Sequence, residues 1–280
     1  MEFGTPSRTA LAAAAYRAAH QLLEHGRIFE DPLALRILGE DADDVALRAG
    51  DDRAGRGMRL FIAMRTRFAE DALAAAVERG VRQLVVLGAG LDTYAYRGAF
   101  RDRLRIFEVD YPATQAWKRQ RLREAAIPLP ESLTFAPVDF EQQTLAEGLA
   151  AAGFDQTQQT FFTWLGVVPY LTEEAVFLTL AYVASLPAGA HVVLDYGDPP
   201  ASLPPELRAA HARRAERVAG LGEAWLTYFD ADTLGAKLAA LGFREIEDLG
   251  PRQMAARYFP GHNRVLPEKG GHVVRAATTA

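Results

Sequence analysis

The chain has 280 residues, 49% of them hydrophobic and 24% charged, with a net charge of −5 and no cysteine. That is ample apolar material for a large core, and the acidic balance shows no footprint for nucleic acid. The missing cysteine excludes disulfides, thiolate metal sites and a cysteine nucleophile.

Thr9 to Leu23 is alanine-rich and helix-prone, with Ser7 or Thr9 as N-cap. Asp31-Pro32 opens a second helix, the aspartate as cap and the proline in the first turn. Asp41 to Asp52 is acidic and reads as a solvated face or loop, without the spacing of a calcium loop. Arg56 to Arg79 forms one long helix: Leu60, Met64, Phe68 and Leu73 recur at near-helical spacing, and Gly80 stops it.

Leu84-Val85-Val86-Leu87 is an apolar run too short for a core helix, so it reads as a buried parallel strand. It stops at Gly88-Ala89-Gly90, where glycines let the backbone turn tightly and approach a ligand. Asp92 follows, as a helix cap or a ligand contact. A second strand starts at Leu104, and Glu108-Val109-Asp110 ends it. Glu108 stands twenty residues after Gly88, the distance at which a carboxylate accepts hydrogen bonds from a ribose, with Val109 beside it. Asp110 is expected to cap a helix from Pro112 to Ala126. This is a nucleoside-cofactor pattern of the Rossmann type. Thr93 replaces the third glycine of the dinucleotide fingerprint, which argues against NAD and leaves room for S-adenosylmethionine.

A third strand, Leu133 to Ala136, leads to Val138-Asp139-Phe140 and a helix from Thr144 to Ala152. Thr160 to Trp164 is the fourth strand. Ligands of open α/β sheets sit outside the carboxyl ends of the strands, so Trp164 and Leu165 should line the site and Tyr170 should face the substrate. Thr172 starts the next helix, and Ala190 to Leu194 is a fifth strand ending in Asp195-Tyr196. Gly197 to Asp230 then breaks the alternation with two Pro-Pro pairs and a polar helix, Glu206 to Ala219. An insertion there is a natural substrate lid, and its Arg213, Arg214 and Arg217 read as a solvated face. Ala231 to Leu241 is helical, and Phe243 to Leu249 and His272 to Ala276 are the last strands. Arg257-Tyr258-Phe259, between them, is expected near the site.

The alternation gives an α/β, doubly wound sheet. One domain is expected, with residues 1–80 as an N-terminal helical cap, 81–196 and 231–280 as the core, and 197–230 as the lid. No apolar run is long enough to span a bilayer, and MEFGTPSR has no signal-peptide hydrophobic region, so a cytoplasmic protein with no membrane partner is expected. The six histidines show no metal spacing, and no metal is expected.

LGAGLDTYAYR, FEVDYPATQAWKR and WLGVVPYLT, with MRTRFAEDAL before them and GEAWLTYFD after, carry a resemblance. They resemble the leucine carboxyl methyltransferase-like family of class I S-adenosylmethionine-dependent O-methyltransferases, in particular its bacterial branch. The resemblance runs from Arg8 to the C-terminus. It implies a seven-stranded, mostly parallel, Rossmann-like sheet with the last strand antiparallel. It matches Arg65 to the family arginine that grips the cofactor carboxylate, which suits a guanidinium fork. It places Arg17 as a cation near the same carboxylate, Asp139 at the adenine amino group and Phe140 against the ring. The chain departs at Tyr94, where many bacterial relatives have arginine, and at Leu165, where some have glutamate.

The implied reaction moves a methyl group from S-adenosylmethionine to an oxygen of a small molecule or peptide, leaving S-adenosylhomocysteine. A carboxylate is the first choice, because with a pKa of about 4 it needs no base. A natural-product hydroxyl would need assistance from Tyr170, Asp195 or a lid residue. A nicotinamide-dependent oxidoreductase and a cofactor-binding module without turnover are the alternatives.

Overall fold

The structure, a computed structural model, describes residues 7–49, 53–140, 142–260 and 266–278. Residues 1–6 and Asp51-Asp52 of the acidic stretch lie outside them. The chain divides into two compact units, residues 1–67 with 82–155, and residues 68–81 with 156–280. This division differs from the expected cap, core and lid segments, because the cap helices group with the first three strands.

The first unit opens with α1 (Arg8–Leu23), where the Ser7 hydroxyl accepts the Ala10 N–H. Two short helices follow, α2 (Ala34–Leu38) and α3 (Ala42–Ala49), and then α4 (Arg53–Glu78), which continues into the second unit. β1 (Gln83–Leu87) is buried along its whole length, as a strand covered on both faces must be. After it come α5 (Tyr94–Arg97), β2 (Arg105–Asp110), α6 (Pro112–Glu124), β3 (Leu133–Pro137) and α7 (Leu145–Ala151). The three strands are parallel, in the order β3-β2-β1. Leu87 pairs with Val109, so Asp110 is the first residue of β2 beyond the end of β1.

The cap departs from the sequence expectation in two places. The acidic stretch is not all loop: residues 42–49 are helical, and Val45 packs in an apolar cluster with Ala14, Ala18, Ile37, Leu91 and Leu122. Asp31 does not cap a helix, since α2 starts three residues later. Its carboxylate is instead the centre of a buried cluster. It accepts the Thr93 hydroxyl at 2.7 Å and the Leu33 N–H at 3.0 Å. Arg17 Nε lies 3.4 Å away and Arg97 Nε 3.3 Å away. One acid thereby joins α1, the segment leading to α2 and the segment after the glycine loop. Glu24, at the end of α1, accepts two hydrogen bonds from Arg59 of α4 at 2.7 Å each. Burial opposes its charge, but His20 and Arg59 outweigh that and hold its pKa at about 2.

The second unit contains β4 (Thr160–Trp164), α8 (Glu173–Ala184), β5 (Ala190–Gly197), α9 (Pro205–Ala219), α10 (Ala231–Ala240), β6 (Glu247–Leu249), α11 (Pro251–Tyr258) and β7 (Gly271–Ala277). β4 and β5 pair in parallel, and β7 runs antiparallel to both β5 and β6. The seven strands follow the order β3-β2-β1-β4-β5-β7-β6, a doubly wound, mostly parallel sheet. β6 is shorter than expected because buried Phe243 closes α10, its N–H bonding to Leu238, before the strand begins. Arg257, expected near the site, is tied to Glu247, with its guanidinium over the Phe68 ring. Among the described residues no helix is long and apolar enough to cross a membrane.

Asp31→Ala would leave two buried guanidinium groups without their carboxylate. It should lower the unfolding free energy by about 3–5 kcal/mol, measured by urea denaturation.

Candidate active site

The loop after β1 is built on positive φ angles, +63° at Gly88 and +43° at Gly90. β2 holds it from one side: the Ala89 N–H bonds to the Val109 carbonyl, and the Gly90 N–H to the Asp110 carboxylate. α1 closes on it as well, since a Cβ on Gly90 would lie 2.9 Å from the Ala10 Cβ. The side chains of Ala89 and Val109 are buried, so this pair shapes the loop. Asp92 accepts the Tyr94 N–H at 2.8 Å and closes the first turn of α5. Thr93, which spoils the dinucleotide fingerprint, is fully buried between Asp31 and Arg97.

Neither acid on β2 has the surroundings expected of it. Glu108 is not at the strand end. It lies opposite Val86 and is fully buried, with Lys118 Nζ 2.8 Å from its Oε2 and the Tyr96 hydroxyl at 3.3 Å. Its main-chain carbonyl accepts from Gln115. Burial pushes its pKa up to about 7 even though Lys118 opposes this. A carboxyl so enclosed cannot reach a ribose, and the expectation for Glu108 is corrected on that ground. Asp110 is the half-buried acid at the strand end, accepting the N–H groups of Gly90 and Tyr111. It does not cap α6 as expected: that helix has Tyr111 as N-cap, with no side-chain bond. Each Asp110 oxygen keeps acceptor capacity beyond its one backbone bond.

At the end of β3, Asp139 is half-buried and accepts from Gln142, while the Phe140 ring is 60% exposed. Asp139 is not the cap of α7, because Thr144 and Glu147 form a reciprocal capping box there. Arg65, in the middle of α4, is buried with its guanidinium 5.7 Å from the Phe61 ring centre. Arg17 is committed otherwise than expected. Its Nη2 donates to the Leu91 carbonyl and its Nε faces Asp31, so it braces the glycine loop and does not await a carboxylate from a ligand.

In the second unit Trp164 is buried at the end of β4, and Leu165 and Tyr170 are half-buried, Tyr170 in the single turn Val168–Tyr170. Asp195 is buried and accepts the Gly166 N–H, which fixes the β4 loop at a residue with φ of +73°. That bond gives Asp195 a structural part in holding the loop. Sequence reasoning also missed a cluster beside it. His272 sits between Asp198 and Asp248, and the Tyr196 hydroxyl bonds to Asp248. These residues lie far apart in sequence, so only the pairing of β5, β7 and β6 assembles them.

The family model for leucine carboxyl methyltransferase matches residues 10–184. A Frankia alni protein, named as a candidate S-adenosyl-L-methionine-dependent methyltransferase, is 34% identical over 97% of this chain and 94% of its own length. A similarly named Streptomyces coelicolor protein is 38% identical over 68% of each chain. One from Bacillus subtilis is 41% identical, over 42% of this chain and 40% of its own length. Among solved structures, a candidate methyltransferase from Thermobifida fusca superposes with a TM-score of 0.59 at 15% identity, covering 100% of this chain and 97% of its own. At that identity the likeness concerns the fold.

The buried Glu108–Lys118 pair gives a test with a definite sign in pH. Removing Lys118, which holds the Glu108 pKa down, leaves the carboxyl protonated at pH 8, where the wild type has released its proton. Lys118→Met should therefore cost about 1.4 kcal/mol more at pH 8 than at pH 5, because pH 8 is one unit above the wild-type pKa of about 7. Urea denaturation at the two pH values measures the difference.

Proposed function

The chain belongs to the leucine carboxyl methyltransferase family and is an S-adenosylmethionine-dependent methyltransferase, and from that premise we propose that it methylates an acceptor oxygen, specifically a carboxylate of a small molecule or peptide. The nicotinamide alternative falls with the family assignment. When bound, S-adenosylmethionine supplies an electrophilic methyl group on a sulfonium. We assign its ribose to Asp110, its adenine to Asp139 and the exposed Phe140 ring, and its carboxylate to Arg65. The donor set suits that molecule. An acid beside a left-handed glycine turn accepts from sugar hydroxyls, an open aromatic face covers a base, and a buried guanidinium pairs with a carboxylate.

The observation that carries the carboxylate reading is on the acceptor side. At the carboxyl end of β5, one Asp195 oxygen holds the Gly166 N–H, and Tyr196 and His272 are taken by Asp248 and Asp198. A carboxylate acceptor is ionised at neutral pH and asks for no base, only for desolvation and alignment. Orientation alone is worth roughly 7–11 kcal/mol. Leu165 is apolar and supplies no proton acceptor either. One observation favours a hydroxyl acceptor as the second reading. His211, in the insertion, packs against Trp225 and Tyr228, and burial and Arg214 hold its pKa below the ordinary value, so it is available as a neutral base.

Two measurements test these assignments. Asp110→Asn and Arg65→Ala should each weaken S-adenosylhomocysteine binding by roughly ten-fold or more, because a hydrogen bond to a charged group is worth about 1.5–3 kcal/mol. Calorimetric titration reads this, and unchanged affinity removes that residue from the site. Incubation with labelled S-adenosylmethionine and a fractionated extract should yield a base-labile product, the mark of a methyl ester. A base-stable product decides against the carboxylate.

A further inference from the structure

The second unit holds a polar cluster to which methyl transfer assigns no role. The insertion after β5 starts at Asp198 and ends at Asp230, and α9 within it has no buried residue. The ring contacts of α9, from His211 to Trp225 and Tyr228, stay inside the insertion. Near its end, Leu226 and Thr227 donate backbone N–H groups to the Pro169 carbonyl. Its placement therefore depends on the fastening of its ends.

Both ends meet the segment that enters β7. Asp198 is buried, accepts Lys269 Nζ at 3.1 Å and the Gly270 N–H at 2.8 Å, and lies 3.1 Å from His272 Nε2. Asp230 lies 3.7 Å from the same Lys269 Nζ. On its other edge, His272 Nδ1 is 2.6 Å from Asp248 of β6. We propose that Lys269 and His272 are positioning residues for the acceptor side, Lys269 drawing the two ends of the insertion together and His272 clamping the first end to β6. The proposal goes beyond the carboxylate reading and needs no knowledge of the acceptor.

The imidazole must be charged to do this. A neutral ring has one N–H and can donate to only one of the two carboxylates, leaving the other against a lone pair. The groups facing it are Asp248 from β6, Asp198 from the insertion, and the Tyr196 ring of β5 stacked at 5.0 Å, with Gln253 of α11 nearby and Lys269 beyond Asp198. Burial works against the charge, but Asp248 and Asp198 outweigh it and raise the pKa. With a raised pKa in the closed state, the clamp is whole below about 6.5, the ordinary histidine value, and weakens as pH rises through the raised one.

Hydrogen exchange read by mass spectrometry on the full chain without ligand, at pH 6 and pH 9 and corrected for chemical exchange rates, tests this. Amides of residues 205–229 should exchange about ten-fold faster at pH 9, the scale of one lost charge-assisted bond, while those of β1 hold. His272→Gln should show the fast level at both pH values. Lys269→Met, at a partly exposed side chain, should quicken exchange at both and keep the pH ratio. Protection independent of pH in the wild type, or wild-type protection of His272→Gln at pH 6, overturns the proposal. Should His272→Gln not fold, the wild-type ratio and Lys269→Met decide, and unchanged exchange in either overturns it. S-adenosylhomocysteine titration of the same samples reports on the cofactor assignment separately.

Discussion

A carboxylate buried without water must find donors or force its surroundings to change, and Asp31 is the place in the first unit where that demand organises the chain. Its donors come from three segments: Arg17 on α1, the Leu33 N–H leading to α2, and Thr93 with Arg97 after the glycine loop. The side-chain donors cannot be satisfied unless the cap is docked and the loop has made its turn. Arg17 then reaches past Asp31 to the Leu91 carbonyl, so the backbone of the loop is held by the same cluster. The positive φ angles at Gly88 and Gly90 are permitted by glycine, but these contacts and the Asp110 carboxylate select them. Thr93 shows the same logic. A glycine there would serve a pyrophosphate and would lose the hydroxyl that bridges Asp31 and Arg97.

The acids of β2 show how far a spacing rule reaches. Glu108 is twenty residues after Gly88, and Asp110 is twenty after Gly90, so counting cannot choose between them. Register does choose. Glu108 lies beside β1, inside the core, while Asp110 clears its end. The group that makes a buried Glu108 tolerable is Lys118, one helix further on. Nothing in the linear spacing of FEVDYPATQAWKR says that its lysine folds back onto its glutamate.

Much of the fold was legible because long or wholly apolar elements announce themselves. β1, β4, α1 and α4 lie within a few residues of where periodicity and apolar runs put them. The short elements were less legible. α3 is acidic and surface-like in composition, and it is a helix that seats Val45 in the cap core. The glycine loop, Arg65, Asp139 and Phe140 were named from the sequence, the last three through resemblance. Arg17 was misread, and the structural part of Asp195 was missed, for one shared reason. Each bonds to a backbone group, the Leu91 carbonyl and the Gly166 N–H, and a sequence does not display its backbone.

The two sides of the proposed reaction also differ in how their parts are held, and this explains why the methyl donor is readable and the acceptor is not. Of the residues assigned to the donor, Asp110 stands at a strand end holding the Gly90 N–H and Arg65 is buried in α4, so their types are constrained. The insertion is fastened at its ends, and between them α9 presents no buried face. Segments of that kind open at low free-energy cost, which suits the entry of an acceptor and the exit of a product. They also change composition without disturbing a core. Acceptor preference can therefore vary between relatives while the donor chemistry stays fixed, and a chain of this construction declares what it transfers well before it declares to what.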